Sequence, residues 1–369
     1  MFSVSYRNIG LWVMVVSLSL MLLCGCGHRE SAACEDGGDT IEMRYAENIR
    51  MIRRGDVVHV ELINPWDTTR LLNTYDIEKP LSHSAVFSSV HCSLIDELGK
   101  VGCIAAVCDL EYINLKKIHD GVKDGRVADF GKSSAPDIER VIDTNPDALL
   151  VSPFENSGGY GALEKLGIPI IECADYMETS PLGRAEWVKF YGLLFGCYEE
   201  SVALFDSIAD AYNGVKKKIE AQGDKAANPK VITDMITGST WYVPGANSTI
   251  GILIRDAGGD YVFADRKERG SVALSPETVF DRAQDADVWL LRYSQKKDMT
   301  CRELSAANTL YSRMDALKKQ GVYGCNLEYS PFFEETPFHP ERLLMDFAKM
   351  FHPENLPEYK MRYFNHLSE

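Results

Sequence analysis

The sequence predicts an α/β protein of two Rossmann-like lobes that are joined by a single long helix. Related helix-turn-strand patterns occur twice, as PDIERVIDTNPDALLV from Pro136 and as SPETVFDRAQDADVWLL from Ser275. Each pattern opens with proline and acidic residues that suit the start of a helix, and ends in an aliphatic run typical of a buried parallel strand. The 369 residues also exceed the ~250–300 at which a single core stops growing, which favours two lobes.

The first lobe is predicted from a hairpin and a strand-helix alternation. MIRRGDVVHVELINPWD alternates apolar and polar residues around Gly55 and Asp56, which predicts a hairpin at the edge of the lobe. From Ala85 onward, short apolar runs alternate with helical segments up to Ala174. These runs include AVFSS, VGCIAAVCD, DALLVSP and IPIIECAD. They predict a small parallel α/β lobe.

A long helix is predicted between the lobes. Apolar residues follow one another there at spacings of three and four, namely Val202, Phe205, Ile208, Tyr212, Val215 and Ile219. A continuous helix from Glu199 to Gln222 would span roughly 36 Å at 1.5 Å per residue. The strand-helix alternation then resumes in KVITDMI, TIGILIRDAGG, the second pattern, GVYGCN and ERLLMDFAKMFHPE, which predicts the second lobe.

The N-terminus is typical of a bacterial lipoprotein precursor. The apolar run IGLWVMVVSLSLMLL is followed by LCGC, a lipobox that predicts cleavage before Cys26 and lipidation of that cysteine. An ordinary signal peptide or a membrane anchor is the alternative. We therefore expect a periplasmic protein that is tethered to a membrane by its lipid. The expected segments are a signal peptide at 1–25, a flexible tether at 26–48, the N-terminal lobe at 49–178, linking helices at 179–224 and the C-terminal lobe at 225–369.

Composition and motifs argue against several functions. The formal net charge of −15 disfavours nucleic acid as a partner. The cysteines are scattered, without a CxxC pair, and several lie in apolar runs where a buried free thiol is expected. The sequence has no GxSxG, HExxH or complete GxxxxGK[ST] motif, so we propose no catalytic residue and no cofactor, although a lipoprotein hydrolase stays an alternative.

The order of these features resembles one known family. Two α/β lobes around one long helix, a lipobox, and phrases such as LEKLGIPII and IRDAGG are similar to the helical-backbone (class III) solute-binding proteins of ABC importers for iron chelates, haem and cobalamin. The resemblance covers roughly residues 85–353. It implies a ligand cleft between the two lobes and a monomeric binding protein that delivers its ligand to an ABC permease. It also implies that one exposed glutamate per lobe docks on the permease, and the matching residues are Glu139 and Glu277.

The ligand site is predicted from the carboxyl ends of the strands, where parallel α/β layers collect ligands. The first lobe contributes Ser89, His91, Phe154, Glu155 and Tyr160, and the second contributes Trp241, Tyr242, Arg292, Tyr293 and Tyr329. Aromatic rings with a few polar groups suit a large, partly apolar chelate, and arginine suits an anionic one. An iron-siderophore or haem is the leading ligand, with a corrinoid next. Bare zinc or manganese is a further alternative, although only His91 among the scattered histidines lies at a predicted strand end.

Overall fold

A four-stranded antiparallel sheet opens the part of the chain that the computed structural model describes, which is residues 38–155, 159–221 and 228–369. Its strands, in spatial order, are β1 (Asp39–Ile41), β2 (Ile49–Arg54), β3 (Val57–Ile63) and β4 (Leu71–Ile77). Gly55 has φ +64° in the turn between β2 and β3, a left-handed backbone that favours glycine. The predicted hairpin is confirmed, but it forms the centre of a larger sheet because β1 and β4 pair with its outer edges.

The segment between β1 and β2 is fixed by two carboxylates. Glu178 and Glu186 accept hydrogen bonds from five consecutive backbone N–H groups, those of residues 44–48, at 2.7–3.0 Å. The folded unit accordingly begins at Asp39. The prediction of a flexible tether over 26–48 is therefore wrong for its last ten residues, because carboxylates that are distant in the sequence supply partners that the local composition does not reveal. Cys26 and the predicted signal peptide lie outside the described residues.

The first lobe is built on a parallel sheet. Its spatial order is β11 (Ile170–Glu172), β10 (Leu149–Val151), β5 (Ser84–Val86), β6 (Ile104–Val107) and β7 (Ala128–Asp129), and the ribbon β8 (Gly131–Lys132) with β9 (Ala135–Pro136) follows β7 in the chain. The helices of this lobe are α1 (Ser89–Glu97), α2 (Lys116–Lys123) and α3 (Ile138–Thr144). All strands of the five-stranded sheet run parallel, so their carboxyl ends share one edge.

The linking segment consists of three helices. They are α4 (Pro181–Glu186), α5 (Val188–Leu194) and α6 (Tyr198–Glu220). Helix α6 has 23 residues, so it spans about 34 Å, and it buries the predicted apolar stripe from Phe205 to Val215. None of the helices in the described part of the chain combines the length and the apolar character that a membrane span requires.

The second lobe repeats the parallel sheet. Its spatial order is β15 (Asp260–Tyr261), β12 (Lys230–Thr233), β17 (Val288–Tyr293), β18 (Val322–Asn326) and β19 (Asn365–His366), with only β19 antiparallel. A separate antiparallel sheet contains β13 (Ile236–Thr237), β14 (Thr240–Pro244) and β16 (Ser271–Leu274). The helices are α7 (Thr249–Asp256), α8 (Pro276–Ala283), α9 (Cys301–Ala307), α10 (Asp315–Lys318), α11 (Phe332–Glu335) and α12 (Pro340–Phe351).

Both copies of the repeated pattern fold as helix, turn and strand. The first forms α3 and β10, and the second forms α8 and β17. Pro276 occupies the first turn of α8 behind the N-cap Ser275, as predicted. Pro136 instead ends β9, and Asp137 caps α3 by accepting hydrogen bonds from Glu139 and Arg140.

The two lobes contact each other through α1, α11 and α12. His339 lies 2.6 Å from Glu97 of α1, and Arg342 lies 3.6 Å from the same carboxylate. Glu334 of α11 accepts two hydrogen bonds from Asn114 of the first lobe, at 2.8 and 2.9 Å. Burial lowers the pKa of His339, but hydrogen bonds to Glu341 and Glu97 outweigh it and raise the pKa above its ordinary value. These polar contacts fix the approach of the two lobes.

Candidate functional site

A cavity of about 820 Å³ lies at the carboxyl ends of the first-lobe strands. Its lining includes Phe87 and Ser88 after β5, Asp109 after β6, and Ser152 after β10. The chain leaves β5 to form β6 on one side and later returns to form β10 on the other side. Such a reversal of strand order opens a crevice at the carboxyl edge, because the connections on the two sides diverge.

The lining combines aromatic rings and hydroxyl groups. The rings are Phe87, Tyr112, Phe154 and Tyr160, and the hydroxyls are those of Ser88, Ser89, Ser133, Ser134 and Ser152. Phe154 and Tyr112 are 62% and 66% exposed, which is unusual for side chains of this size. Exposed rings beside a concave wall are typical of a surface that a ligand covers.

Three of the five residues predicted in the first lobe meet at this cavity. Ser89, Phe154 and Tyr160 all line it. His91 is buried in α1 and lines a smaller, neighbouring cavity. Glu155 is exposed after Phe154, and the structure does not place it in the lining of either cavity.

Tyr160 is held in place from behind by Glu172. Its hydroxyl donates a hydrogen bond to Glu172 at 2.8 Å, and Glu172 is 8% exposed. Two residues of β4 contact the same glutamate. Asn73 donates to its carboxylate at 3.2 Å, and the Tyr75 hydroxyl accepts its backbone N–H at 3.0 Å. Burial and the adjacent carboxylate raise the pKa of Tyr160, so its hydroxyl stays a neutral donor.

The smaller cavity, of about 270 Å³, is built around a buried carboxylate. It shares Ser88, Ser152 and Phe154 with the larger cavity. At its wall, Asp175 accepts hydrogen bonds from His91 Nε2 at 2.8 Å and from Arg184 Nε at 3.0 Å. The Tyr191 hydroxyl donates a third bond to Asp175 at 3.1 Å.

The same partners keep Asp175 ionised. Burial by itself raises the pKa of Asp175, but the interactions with His91 and Arg184 outweigh it and lower the pKa to about 2. His91 Nδ1 is buried and has no hydrogen-bond partner among the described residues. The cavity wall therefore combines a satisfied carboxylate with the imidazole and the guanidinium that bond to it.

Two aspartates at strand ends adopt a left-handed backbone. Asp109 has φ +49° shortly after β6, and Asp234 has φ +60° directly after β12. Non-glycine residues rarely adopt this region, and such strain is concentrated at functional sites. Asp109 lines the larger cavity and accepts a hydrogen bond from the Ser133 backbone at 3.2 Å. Asp234 is instead paired with Arg292.

The prediction that Trp241 and Tyr293 contact the ligand is wrong, because both side chains belong to the core. Trp241 has no exposed surface, donates a hydrogen bond to the Thr233 carbonyl at 3.0 Å, and packs against Trp289 and Tyr311. Tyr293 is 8% exposed, and its hydroxyl accepts the Met299 backbone N–H at 3.0 Å. Trp241 lies on β14, where alternate side chains face opposite sides, so its ring points into the lobe.

The other three residues predicted in the second lobe do not line the 820 Å³ cavity, as far as the described residues show. Arg292 makes two hydrogen bonds of 2.8 Å to Asp234, which commits its guanidinium to an ion pair. Tyr242 is 47% exposed on β14. Tyr329 is 67% exposed and donates a hydrogen bond to the Lys296 carbonyl at 2.8 Å.

Sequence reasoning missed several residues of the site. Asp109 follows an aliphatic run in VCDL, so the strand-end rule itself could have found it. Asp175 lies three residues after β11, so the same rule could have found it as well. Arg184 gave no comparable signal, because it belongs to the segment that links the lobes. The two glutamates predicted to dock on a permease, Glu139 and Glu277, are both exposed in the first turn of a helix, one in each lobe.

A family model described as Periplasmic binding protein matches residues 87–329. The chain belongs to the periplasmic binding protein family. The matched residues contain the strand ends that line both cavities and the long helix α6. As a member of this family the chain is a solute-binding protein and not an enzyme.

Relatives and solved structures agree with the family. The chain is 29% identical over 310 residues to an uncharacterized lipoprotein of Methanocaldococcus jannaschii, which covers 81% of this chain and 72% of that protein. Its fold is similar to that of a periplasmic heme-binding protein from Pseudomonas aeruginosa, with a TM-score of 0.59, 14% identity, and coverage of 78% of this chain and 98% of that one.

Two further structures show the same fold. The structure of an ABC-type Fe3+-hydroxamate transport system from Saccharomonospora viridis has a TM-score of 0.56 and 16% identity, covering 79% of this chain and 98% of that one. The molybdate periplasmic binding protein of Haemophilus influenzae has a TM-score of 0.58 and 16% identity, covering 82% and 94%. At these identities the likeness establishes the two-lobed fold.

Proposed function

We propose that this protein captures a metal chelate, a ferric siderophore or haem, outside the cytoplasm and delivers it to the permease of an ABC importer. The observation that carries the proposal is the 820 Å³ cavity lined by four aromatic rings and five serine hydroxyls. Sites for small organic molecules occupy about 300–1,000 Å³ and combine apolar walls with a few polar groups. A bare zinc or manganese ion needs three or four converging ligands and would leave most of this volume unfilled.

The proteins of similar fold include binders of metal chelates, but the ligands in their names differ. One binds heme, one belongs to a hydroxamate-iron transport system, and one binds molybdate. The exposed rings of Tyr112 and Phe154 favour a ligand with a broad apolar face, as a porphyrin or a siderophore has. A corrinoid has the same kind of face and is the alternative ligand.

Ligand titration tests the proposal. The full chain in detergent would be titrated by calorimetry with ferric siderophores, haem, cobalamin, molybdate, Zn²⁺ and Mn²⁺. We expect saturable binding of one class of chelate. Replacing Phe154 with alanine should weaken it by about 0.5–1.5 kcal/mol or more, because a ring contact is lost. Ile142→Ala, at an exposed position of α3 outside the cavity lining, is the matched control. Binding of only a bare ion or only molybdate would contradict the proposal.

We also propose that a lipid on Cys26 anchors the protein to a membrane. The proposal rests on the lipobox LCGC after an apolar run, and the Methanocaldococcus jannaschii relative is itself named a lipoprotein. Replacing Cys26 with serine should move the protein from the membrane fraction to the soluble fraction after cell lysis. Equal retention of both forms in the membrane would contradict lipidation at this residue.

A further inference from the structure

We propose that the 820 Å³ cavity selects chelates that carry no net negative charge, and that Asp109 makes this selection by bonding to a cationic or N–H group of the ligand. The inference rests on the proposed function, because it concerns the charge of the chelate that is assigned to this cavity. It favours a neutral or cationic ferric siderophore over haem, whose propionates are anionic.

The charge of the cavity wall comes from a single residue. Among the described residues that line this cavity, Asp109 is the only one with a charged side chain. The other polar side chains of the lining are serine and tyrosine hydroxyls, which are neutral and can bond to the uncharged oxygens of a chelate. The wall therefore offers an anionic ligand a repulsive charge and no side-chain cation that would balance its own.

Asp109 keeps an acceptor free for the ligand. Its Oδ2 accepts the Ser133 backbone N–H at 3.2 Å, whereas Oδ1 accepts no hydrogen bond from a described residue. The side chain is 24% exposed, so the carboxylate is accessible at the wall. Its backbone N–H donates to the Gly131 carbonyl at 2.7 Å, which fixes its position. A fixed carboxylate with a free oxygen is a strong acceptor for a cationic or N–H donor.

Lys132 lies beside Asp109 but does not cancel its charge. The lysine Nζ is 3.9 Å from Asp109 Oδ1, while it makes a hydrogen bond to Glu111 and lies 5.6 Å from the centre of the Tyr112 ring. The lysine side chain is 60% exposed, so water screens its attraction to Asp109. Two carboxylates against one ammonium leave this group of side chains negative.

Two arginines at or near strand ends are balanced by aspartates. Arg292, which the sequence suggested for an anionic ligand, makes two hydrogen bonds of 2.8 Å to Asp234. Arg184 lines the smaller cavity and is bonded to Asp175 at 3.0 Å. Neither guanidinium brings an uncompensated positive charge to the site. The formal net charge of −15 adds a long-range repulsion for anionic ligands.

The chemistry of the chelates decides which of them meet this condition. In a ferric hydroxamate, the hydroxamate groups balance the charge of Fe³⁺, so the complex is neutral unless a side group is charged. Ferric catecholates and ferric carboxylates are anionic. Neutral ferric hydroxamates and their cationic derivatives are therefore the siderophores that suit the cavity.

The test compares chelates that share one metal centre and differ in charge. Calorimetric titration of the full chain in detergent would use ferrioxamine B, which has a free ammonium, with its neutral N-acetyl and anionic N-succinyl derivatives. Haem would be compared with haem dimethyl ester. In the series that binds, we expect the anionic member to bind at least about tenfold more weakly than its neutral counterpart, since like-charge contacts are repulsive.

An isosteric variant removes only the charge. Asp109→Asn should reduce the difference between the neutral and anionic members to less than about threefold. Asparagine also tolerates the left-handed backbone of this position, so the fold should be retained. Asp143→Asn changes an exposed aspartate of α3 outside the cavity lining and should leave the difference intact. A thermal unfolding curve for each variant checks the fold.

The outcomes separate the selection from the chelate function. Equal affinity for neutral and anionic chelates, or tighter binding of the anionic members, would overturn the selection while leaving the chelate function standing. A difference that survives in Asp109→Asn, or that Asp143→Asn reduces equally, would overturn the role of Asp109 in the same way. Failure of every one of these chelates to bind would contradict the chelate function and the selection with it.

Discussion

At the scale of single residues, Asp175 connects stability to the binding site. It is 1% exposed, and its two oxygens accept hydrogen bonds from a histidine, an arginine and a tyrosine. A buried carboxylate is stable only when its partners replace the lost hydration. The three partners come from α1, α4 and α5, so this one carboxylate joins the first lobe to the linking helices.

Replacing Asp175 with asparagine should therefore destabilise the protein in a pH-dependent way. The pKa of Asp175 lies near 2 in the folded protein, below the ordinary value of about 3.9, so its ionised form stabilises the fold above about pH 4. The loss at pH 7 should be about 2–3 kcal/mol, and it should shrink as the pH falls from 4 toward 2. Urea unfolding of both proteins across this range measures the difference.

A matched control is available on the surface. Asp143→Asn changes an exposed aspartate of α3 and should alter the free energy of unfolding by less than about 0.5 kcal/mol at pH 7. If Asp175→Asn and Asp143→Asn behave alike, or if the loss at Asp175 does not diminish in acid, the account of this buried network is wrong.

At the scale of elements, the N-terminal antiparallel sheet is connected to the 820 Å³ cavity through Glu172, although it lies outside the residues that match the family model. Five backbone hydrogen bonds to Glu178 and Glu186 fix its first loop to the lobe. Its last strand, β4, contacts Glu172 through Asn73 and Tyr75, and Glu172 in turn orients Tyr160 at the cavity. The sheet thus supports one wall of the site from behind.

Ligand affinity should therefore depend on Glu172 through Tyr160. Tyr160→Phe and Glu172→Ala should each weaken binding of the chelate that the wild type prefers, because the ring loses its fixed orientation. The double variant should bind no more weakly than the weaker single variant, with a coupling energy of about 0.5–3 kcal/mol. Calorimetric titration of the wild type, the two single variants and the double variant measures this coupling energy. Asn73→Ala removes only the longer of the two bonds to the Glu172 carboxylate and should have a smaller effect. Additive losses would indicate that Glu172 acts on the site by another route.

At the scale of the whole molecule, the repeated pattern gives each lobe one exposed glutamate at a helix start. Glu139 lies in the first turn of α3 and Glu277 in the first turn of α8. A glutamate at this position stabilises its own helix by about 0.3–1 kcal/mol, whether or not it has another role. We propose in addition that the two carboxylates dock on basic residues of the permease, one for each lobe.

Reversing both charges should abolish uptake without affecting capture. Glu139→Arg with Glu277→Arg replaces two attractions by two repulsions at the permease, where like-charge contacts cost several kcal/mol. Neither residue lines the described cavities, so chelate affinity should stay within about twofold of the wild type. Uptake of labelled ligand by cells and titration of the purified protein measure the two quantities.

The control for docking uses the same helices. Asp143→Arg with Asp281→Arg reverses two exposed charges farther along α3 and α8, so it changes the net charge equally. This variant should keep most of the uptake activity. Normal uptake by the glutamate variant, or an equal loss in both variants, would refute a specific docking role for Glu139 and Glu277.

The sequence by itself determined the two-lobed fold and the long helix, and it named three of the residues that line the larger cavity. Apolar periodicity is a local signal, so the stripe from Phe205 to Val215 and the two helix-turn-strand patterns could be recognised without a structure. The strand-end rule found Ser89, Phe154 and Tyr160 because each follows a central strand of the first sheet or lies close beyond it.

Only the tertiary structure decided which polar and aromatic groups line the cavities. Trp241 and Tyr293 have the same composition cues as Phe154, but sheet pairing turns their rings into the core. Arg292 is committed to Asp234, a partner 58 residues away in the chain. Arg184 reaches the smaller cavity because the linking helices pack on the first lobe. Such partnerships join residues that are distant in sequence, and a local pattern carries no information about them.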